Sequence, residues 1–204
     1  MNKLSNTLLA AGTLLVLASQ ANAANVSGVK INSTAYAGNG CPSGSASVVI
    51  SPDKKSVSFL FDEYIAEAGG HGQRTFDRKK CDIALGLNIP NGISESLINA
   101  DYRGFNDLPR GATATFTRDY FFAGTTGPSL KKTWSGARSN DFKVTDNLGV
   151  MAKVWSKCGA DVILRSKSAA TVKTQRGREA LMMVDSVDMK STTLFRYNFR
   201  YRTC

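Results

Sequence analysis

The clearest chemical pattern in the sequence is the alternation of cationic and aromatic residues near its C-terminus, in LFRYNFRYRTC. On a β-strand, successive side chains point to opposite faces. Arg196, Arg200 and Arg202 would therefore share one face of a strand, and the aromatic residues between them would share the other. This pattern predicts an aromatic face that packs on the core and a cationic face that attracts anions.

Two further groups of basic residues precede this segment. The first lies in HGQRTFDRKKC and consists of Arg74, Arg78, Lys79 and Lys80. The second consists of Lys157, Arg165, Lys167, Lys173, Arg176 and Arg178. If the groups adjoin in the fold, their field would draw a polyanion such as an acidic polysaccharide, an envelope glycolipid or extracellular DNA. The formal net charge of +10 agrees with such a partner, and equally with a basic surface that serves only solubility.

A catalytic site would have to use His71, the single histidine of the chain, or Tyr120. His71 lies among glycines in AGGHGQ, where a general base needs a partner within hydrogen-bond reach. Tyr120 lies in DYFFAG, which faintly resembles a strand motif of secreted alginate lyases. The other motifs of those lyases and the G-x-S-x-G elbow of hydrolases do not occur in the sequence. The sequence therefore favours a non-catalytic domain over a lyase or hydrolase of acidic glycans.

Acidic residues offer two other kinds of site, a carboxylate pair and a cation site. Asp62 and Glu63 are consecutive, so on a strand they point to opposite faces, whereas Asp62 would meet Asp101 only across strands. The sequence contains neither the D-x-D-x-D-G pattern of a calcium loop nor a C-x-x-C zinc pair. We therefore expect these acids to make structural hydrogen bonds, and we predict no metal site and no cofactor.

Strands must position all of these residues, because apolar residues recur with a period of two along most of the chain. SASVVI and SVSFLF flank the turn sequence SPDKK and predict a hairpin over residues 45–61. Residues 63–69 are compatible with a turn or two of helix. The other predicted strands cover residues 26–31, 82–89, 96–105, 113–122, 131–135, 141–145, 150–156, 162–167, 181–188 and 193–202. This spacing is typical of an all-β fold, an antiparallel β-sandwich of jelly-roll-like type.

The N-terminus predicts export. A basic start, an apolar stretch over residues 4–17 and the small-residue pattern at Ala21-Asn22-Ala23 are features of a signal peptide, which we place at residues 1–23. The apolar stretch is shorter than the roughly 20 residues that a transmembrane helix needs. We therefore expect a secreted protein, extracellular or periplasmic, with a single domain over residues 24–204.

Cysteine usage agrees with export. Cys41, Cys81, Cys158 and Cys204 are an even number of cysteines, which predicts two disulfides in an oxidising compartment. Sequence alone does not select among the three pairings. Our working choice joins Cys41 to Cys81 and Cys158 to Cys204, and in the chain-entropy model each bond contributes about 3 to 4 kcal/mol. The glycines of GNGCPSG precede a strand instead of a helix, so this loop is predicted to turn the chain at Cys41 and not to bind phosphate.

Several segments carry a resemblance to a known family. They are GNGCPSGSASVVISPDKKSVSFLFDEY, RKKCDIALGLNIPNG, DYRGFNDLPRGATATFTRDYFFAG, SKCGA and the terminal Cys204. Together they resemble an uncharacterised family of small secreted four-cysteine proteins, classed only as a domain of unknown function. The resemblance covers almost the whole mature chain and implies an exported, disulfide-linked, β-rich domain, without a reaction or catalytic residues. SKCGADVILRSKSAATVKTQRGREALMM departs from the family by being more basic.

Three roles remain open at this point. The first is a secreted binding or surface-interaction domain for an anionic polymer, with contacts from the three basic groups. The second is an enzyme acting on an acidic glycan through His71 or Tyr120. The third is a structural component of an extracellular assembly, with no soluble ligand.

Overall fold

The computed structural model describes residues 30–50, 52, 56–70, 74–148, 155–184 and 195–204. The described residues form twelve β-strands that account for most of their length. The strands are β1 (Lys30–Ala37), β2 (Ala46–Ile50), β3 (Ser56–Phe61), β4 (Ile65–Ala68), β5 (Phe76–Asn88), β6 (Ile93–Leu108), β7 (Thr113–Phe122), β8 (Ser129–Ser135), β9 (Arg138–Asn147), β10 (Asp161–Lys173), β11 (Ala180–Val184) and β12 (Phe195–Thr203). No helix within these ranges has the length and hydrophobicity of a membrane span.

The strands form two sheets that pack face to face. The five-stranded sheet has the order β1-β5-β10-β7-β8, and the seven-stranded sheet contains β2-β3-β12-β6-β11-β4 with β9 paired to the other edge of β6. The pairings within both sheets are antiparallel. The predicted all-β, antiparallel β-sandwich is therefore confirmed, as is the hairpin of β2 and β3.

The period of two in the sequence explains how the sheets meet. Along β7, every second residue is buried, so Phe116, Tyr120 and Phe122 enter the core while the threonines between them face outwards. Phe116 meets Tyr102 of the opposite sheet edge to face, with ring centroids 5.1 Å apart. Burial of one such ring stabilises the fold by about 1.5 to 3 kcal/mol, so these aromatic contacts hold the two sheets together.

Three predicted elements differ from the structure or lie partly outside the described residues. The helical turn over residues 63–69 is wrong, because the alternating burial of Ile65–Ala68 fits a strand, and β4 pairs with β11. The first described strand begins at Lys30 and extends to Ala37, while residues 26–29 lie outside the described ranges. Of the strand predicted over residues 150–156, only residues 155 and 156 are described, and they belong to no strand of either sheet.

Two disulfides join Cys41 to Cys81 and Cys158 to Cys204, the pairs chosen above. Cys41 lies in the loop that follows β1, and Cys81 lies in the middle of β5. The bonded cysteines are 40 and 46 residues apart. In the chain-entropy model, each bond contributes about 4 kcal/mol to the free energy of unfolding.

The glycine-rich loop before Cys41 packs on β5. At Gly38, φ is 149°, and any side chain would collide with the carbonyl group of Lys80. The amide of Asn39 donates to the Arg78 carbonyl at 3.0 Å and accepts from the Lys80 N–H at 2.6 Å. The loop therefore turns the chain at Cys41, as predicted. Its hydrogen bonds hold the backbone of β5 at Arg78 and Lys80.

Candidate functional site

The outer face of the five-stranded sheet brings together some members of two of the three basic groups. Strand β10 pairs with β5 so that Thr171 lies opposite Arg78 and Ala169 lies opposite Lys80. Because Cys81 of β5 and Leu164 of β10 point into the core, residues of the other parity point outwards. We call this surface the cationic face and define it by the outward-facing basic residues of β5 and β10. They are Arg78, Lys80, Arg165, Lys167 and Lys173.

One end of the cationic face carries an exposed aromatic ring. Phe76 is 47% exposed, and it lies opposite Lys173 in the pairing of β5 with β10. The Lys173 ammonium lies 5.9 Å from the centroid of this ring. Arg78 is the next outward residue of β5. We call Phe76, Arg78 and Lys173 the Phe76 cluster, in which the cations are exposed to solvent.

The other end repeats this combination of residue types. Lys167 places its ammonium 5.7 Å from the ring centroid of Phe121, and Arg165 lies opposite Phe121 in the pairing of β10 with β7. We call Phe121, Arg165 and Lys167 the Phe121 cluster. Here the arginine is half-buried, and its Nε is closed to solvent without a hydrogen-bond partner among the described residues.

The two clusters lie far apart along one strand. At about 3.3 Å per residue, the stretch of β10 from Arg165 to Lys173 is roughly 26 Å long. Between them the face is rich in hydroxyl groups, including those of Thr115, Thr117 and Thr171, which lie on neighbouring strands. The charge is also interrupted, because Asp82 and Asp119 both lie opposite Lys167, one on each side. The face therefore alternates cations, carboxylates, hydroxyls and rings.

The first predicted basic group does not stay together in the structure. Adjacent residues of β5 alternate between faces, so Lys79 points away from Arg78 and Lys80. Together with Arg74, Lys79 lines a groove of about 510 Å³ at one end of the sandwich. The same groove is lined by the carboxylates of Glu67, Asp77, Asp107 and Glu179. Arg74 and Lys79 are therefore not part of the cationic face.

The C-terminal arginines lie in the other sheet. Strand β12 lies between β3 and β6, where Arg196 is opposite Ser58 and Asp101 and Arg200 is opposite Ser96. The guanidinium of Arg202 stacks on Trp155, 4.1 Å from the ring centroid. The three basic groups do not form one surface, because sheet assignment separates β12 from β5 and β10. Binding by the arginines of β12 stays a prediction.

The residues considered for catalysis do not form a site in the described part of the chain. His71 lies outside the described residues. Tyr120 is fully buried, and its hydroxyl donates to Asp146 Oδ2 at 2.6 Å and bonds to the Tyr102 hydroxyl. A substrate in solvent does not reach this position, so the catalytic role considered for Tyr120 does not fit its place in the core.

Tyr120 belongs to a buried polar cluster around Arg118 that we did not foresee. The Arg118 Nε and Nη2 donate to Asp146 at 2.9 and 2.6 Å, and Nη1 donates to the Phe116 carbonyl at 2.7 Å. Burial by itself lowers the pKa of Arg118, but the hydrogen bonds and charge of Asp146 outweigh it, so the pKa lies above its ordinary value. An arginine at an inward-facing position of TATFTRDYFF is the sequence signal for such a cluster.

Among the remaining acidic candidates, Asp101 makes a structural hydrogen bond. Asp101 accepts a hydrogen bond from Thr145 Oγ1 at 2.6 Å. Asp62 follows β3, and β12 separates β3 from β6, so Asp62 and Asp101 do not meet across neighbouring strands. Within the described ranges, no three His, Cys, Asp or Glu side chains are grouped so that they would hold a metal ion.

Two solved structures show distant likenesses to this chain. A carbohydrate-binding module, TmCBM61 in complex with beta-1,4-galactotriose, aligns with a TM-score of 0.26 and 10% identity over 86% of this chain and 91% of that chain. The enzymatically active domain of tailspike protein 4 of bacteriophage CBA120 aligns with a TM-score of 0.25 and 13% identity over 80% of this chain and 20% of that chain. At this level the likenesses carry no argument about function.

Comparison of sequences, in contrast, identifies a relative and a family. A relative from Arthroderma benhamiae, described as "Uncharacterized secreted protein", is 34% identical over 169 residues, which cover 82% of this chain and 69% of the relative. Together with the two disulfides, this confirms the predicted secretion. Residues 27–204 match the family described as "Domain of unknown function (DUF4360)". The family resemblance predicted from the sequence is thereby confirmed, and the chain belongs to the DUF4360 family.

Proposed function

We propose that this protein is a secreted, non-catalytic domain that binds an acidic polysaccharide on the cationic face. The observation that carries the proposal is the repeated combination of phenylalanine, lysine and arginine at the two ends of β10. Aromatic rings offer flat apolar surfaces against which a sugar ring packs, and the adjacent cations attract its acidic groups. The distance between the clusters suits a chain-like ligand.

The chemistry of the face favours a polysaccharide over DNA and over a membrane surface. Duplex DNA carries one negative charge per roughly 1.7 Å and is bound by dense positive charge. Asp82 and Asp119 interrupt the positive charge beside Lys167 and would repel such a ligand. Sugar hydroxyls, in contrast, donate hydrogen bonds to these carboxylates and exchange them with the threonines of β7 and β10.

The proposal is tested with two variants that remove equal charge from different sheets. The first is the triple variant Arg78→Ser, Lys80→Ser and Lys173→Ser on the cationic face. The matched control is Arg196→Ser, Arg200→Ser and Arg202→Ser on β12. Affinity for alginate is measured by titration calorimetry at low salt. We expect the first variant to weaken binding by roughly tenfold or more, since each exposed ion pair contributes about 0.5 kcal/mol, and the control to leave it nearly unchanged.

The outcomes separate the competing roles. Equal losses in the two variants would mean that net charge alone attracts the polymer, and a loss only in the β12 control would place binding on the C-terminal strand. Tighter binding of duplex DNA than of alginate would overturn the choice of ligand class. Accumulation of unsaturated products from alginate would replace the non-catalytic role with that of a lyase.

A further inference from the structure

We infer that the Phe121 cluster is the subsite that selects carboxylated sugars, with Arg165 as the group that recognises the carboxylate. This inference rests on the proposed function and goes further, because it distinguishes uronic-acid polymers from neutral and sulfated ones. The Phe76 cluster then serves as a second, less selective contact at the other end of β10.

Arg165 and Lys167 differ in the charges that surround them. The register neighbours of Arg165 on β5 and β7 are Ala84 and Phe121, and neither carries a charge. Lys167, the next outward residue of the same strand, has Asp82 and Asp119 as its register neighbours. Arg165 is therefore the cation of this cluster that has no acidic residue opposite it in either adjoining strand.

Arg165 is half-buried, whereas Arg78, Lys80 and Lys173 are exposed. A charge that is partly removed from water interacts more strongly with an opposite charge than a fully solvated one does. An anion beside Arg165 also lies next to Ile163, which is 45% exposed, and to the ring of Phe121. The apolar surroundings suit a ligand that has an acidic group on a largely uncharged ring.

The Nε–H group of Arg165 is a buried hydrogen-bond donor. This N–H is closed to solvent and has no hydrogen-bond partner among the described residues. A buried donor without an acceptor is unfavourable, so a turn of the guanidinium toward an acceptor above the sheet is favoured. The planar guanidinium bonds to the two oxygens of a carboxylate in parallel, a geometry that a lysine ammonium does not match. Together these observations assign carboxylate recognition to Arg165.

The test compares polygalacturonate with its methyl-esterified form, which has the same sugar backbone without the negative charge. The variant is Arg165→Lys, which keeps the charge and removes the paired donors. The matched control is Arg78→Lys in the Phe76 cluster. Dextran sulfate serves as an anionic probe that has sulfates and no carboxylates, and thermal unfolding checks that both variants remain folded.

For the unaltered protein we expect binding of polygalacturonate that is at least tenfold tighter than binding of the ester, the size of one charge-assisted hydrogen bond. In Arg165→Lys, this preference is expected to fall by about tenfold while binding of dextran sulfate changes by less than about twofold. Arg78→Lys is expected to keep the preference. An unchanged preference in Arg165→Lys, with binding still lost in the triple serine variant, would overturn the inference and leave the proposed function standing. Failure of the unaltered protein to bind any anionic polysaccharide would overturn both.

Discussion

The most constrained residues of this protein are the polar ones inside its core. Arg118 and Asp146 are 3% and 4% exposed, and their ion pair joins β7 of one sheet to β9 of the other. Such a pair is stabilising only while both partners and their further hydrogen bonds are present. Tyr120 and the Phe116 carbonyl supply those bonds. The cluster therefore fixes how the two sheets align, and it tolerates the loss of one member poorly.

Removal of Asp146 tests this role. We expect Asp146→Ala to lower the free energy of unfolding by about 3 to 5 kcal/mol, because the Arg118 guanidinium is left buried without its counter-charge. The measurement is urea unfolding followed by fluorescence. The double variant Arg118→Met with Asp146→Leu is expected to recover much of the loss, since no buried charge remains. The control Asp141→Ala removes an exposed carboxylate from the same strand and should change stability by less than about 0.5 kcal/mol. A similar loss in this control would contradict a special role for the buried pair.

For a second polar residue in the core, we predict that replacement raises the free energy of unfolding. Asn106 is fully buried, and neither polar atom of its amide has a hydrogen-bond partner within the described residues. Replacement by leucine, which has the same number and branching of side-chain heavy atoms, removes this unfavourable burial. We expect Asn106→Leu to raise the free energy of unfolding by about 1 to 3 kcal/mol in the same assay. A loss of stability would contradict an unfavourable burial of this amide.

At the level of elements, β10 organises the cationic face. It pairs with β5 along its full length and with β7 along most of it, and it contributes residues to both clusters. The neighbouring strand β5 is tied to the loop that follows β1 by the Cys41–Cys81 bond and by Asn39. The Cys158–Cys204 bond ties the end of β12 in the other sheet. The two disulfides therefore differ in their distance from the face.

Because of this difference, removal of either disulfide should lower stability equally, but only one of the two should affect binding. The two disulfides close segments of similar length, so serine replacement of either pair is expected to lower the free energy of unfolding by about 4 kcal/mol. Only the Cys41→Ser, Cys81→Ser variant should also weaken alginate binding, because it loosens the backbone beside Lys80. Calorimetry at a temperature at which both variants are folded gives the comparison. Equal affinities would show that the loop does not position the face.

The strands show which features of this fold the sequence can and cannot predict. Alternation of apolar residues placed β2, β3 and β7 correctly, because one face of each strand must be buried. Alternation does not say which strands are neighbours, so the arginines of β12 could not be separated from the basic residues of β5 and β10. Neither Phe76 nor Phe121 is among the predicted binding residues. Phe121 is readable as a phenylalanine at an outward-facing position of the strand predicted over residues 113–122, whereas Phe76 precedes the strand predicted over residues 82–89. Arg165 was identified only as one of several basic residues, since its burial depends on the packed sheet.

At the scale of the whole molecule, the net charge is +10, and the basic residues of the described strands lie in both sheets. Only some of them face the proposed ligand. A linear polyanion releases counterions when cations bind it, so its affinity falls as salt is added. The steepness of this fall reports how many cations make contact. It is therefore a measure of the face and not of the total charge.

Salt titration distinguishes these two quantities. Over roughly 50 to 200 mM salt, the slope of log K against log salt for the triple variant Arg78→Ser, Lys80→Ser, Lys173→Ser should be smaller by about 2, given about 0.7 per contact on a single-stranded polyanion. The β12 triple variant carries the same net charge and should keep the slope of the unaltered protein. Identical slopes in the two variants would mean that contacts are spread over the whole surface.

The groove beside β4 has a bearing on how this protein behaves among copies of itself. Strand β4 ends the seven-stranded sheet, and on its open side the Glu67 N–H donates to the Asp77 carboxylate at 3.1 Å. An unprotected strand edge is a template on which another chain adds a strand, which is how many β-proteins begin to aggregate. Here the Asp77 carboxylate already accepts a hydrogen bond from the Glu67 N–H and places negative charge along the edge of β4. We therefore expect this contact to hinder the addition of a strand from another copy of the protein at β4.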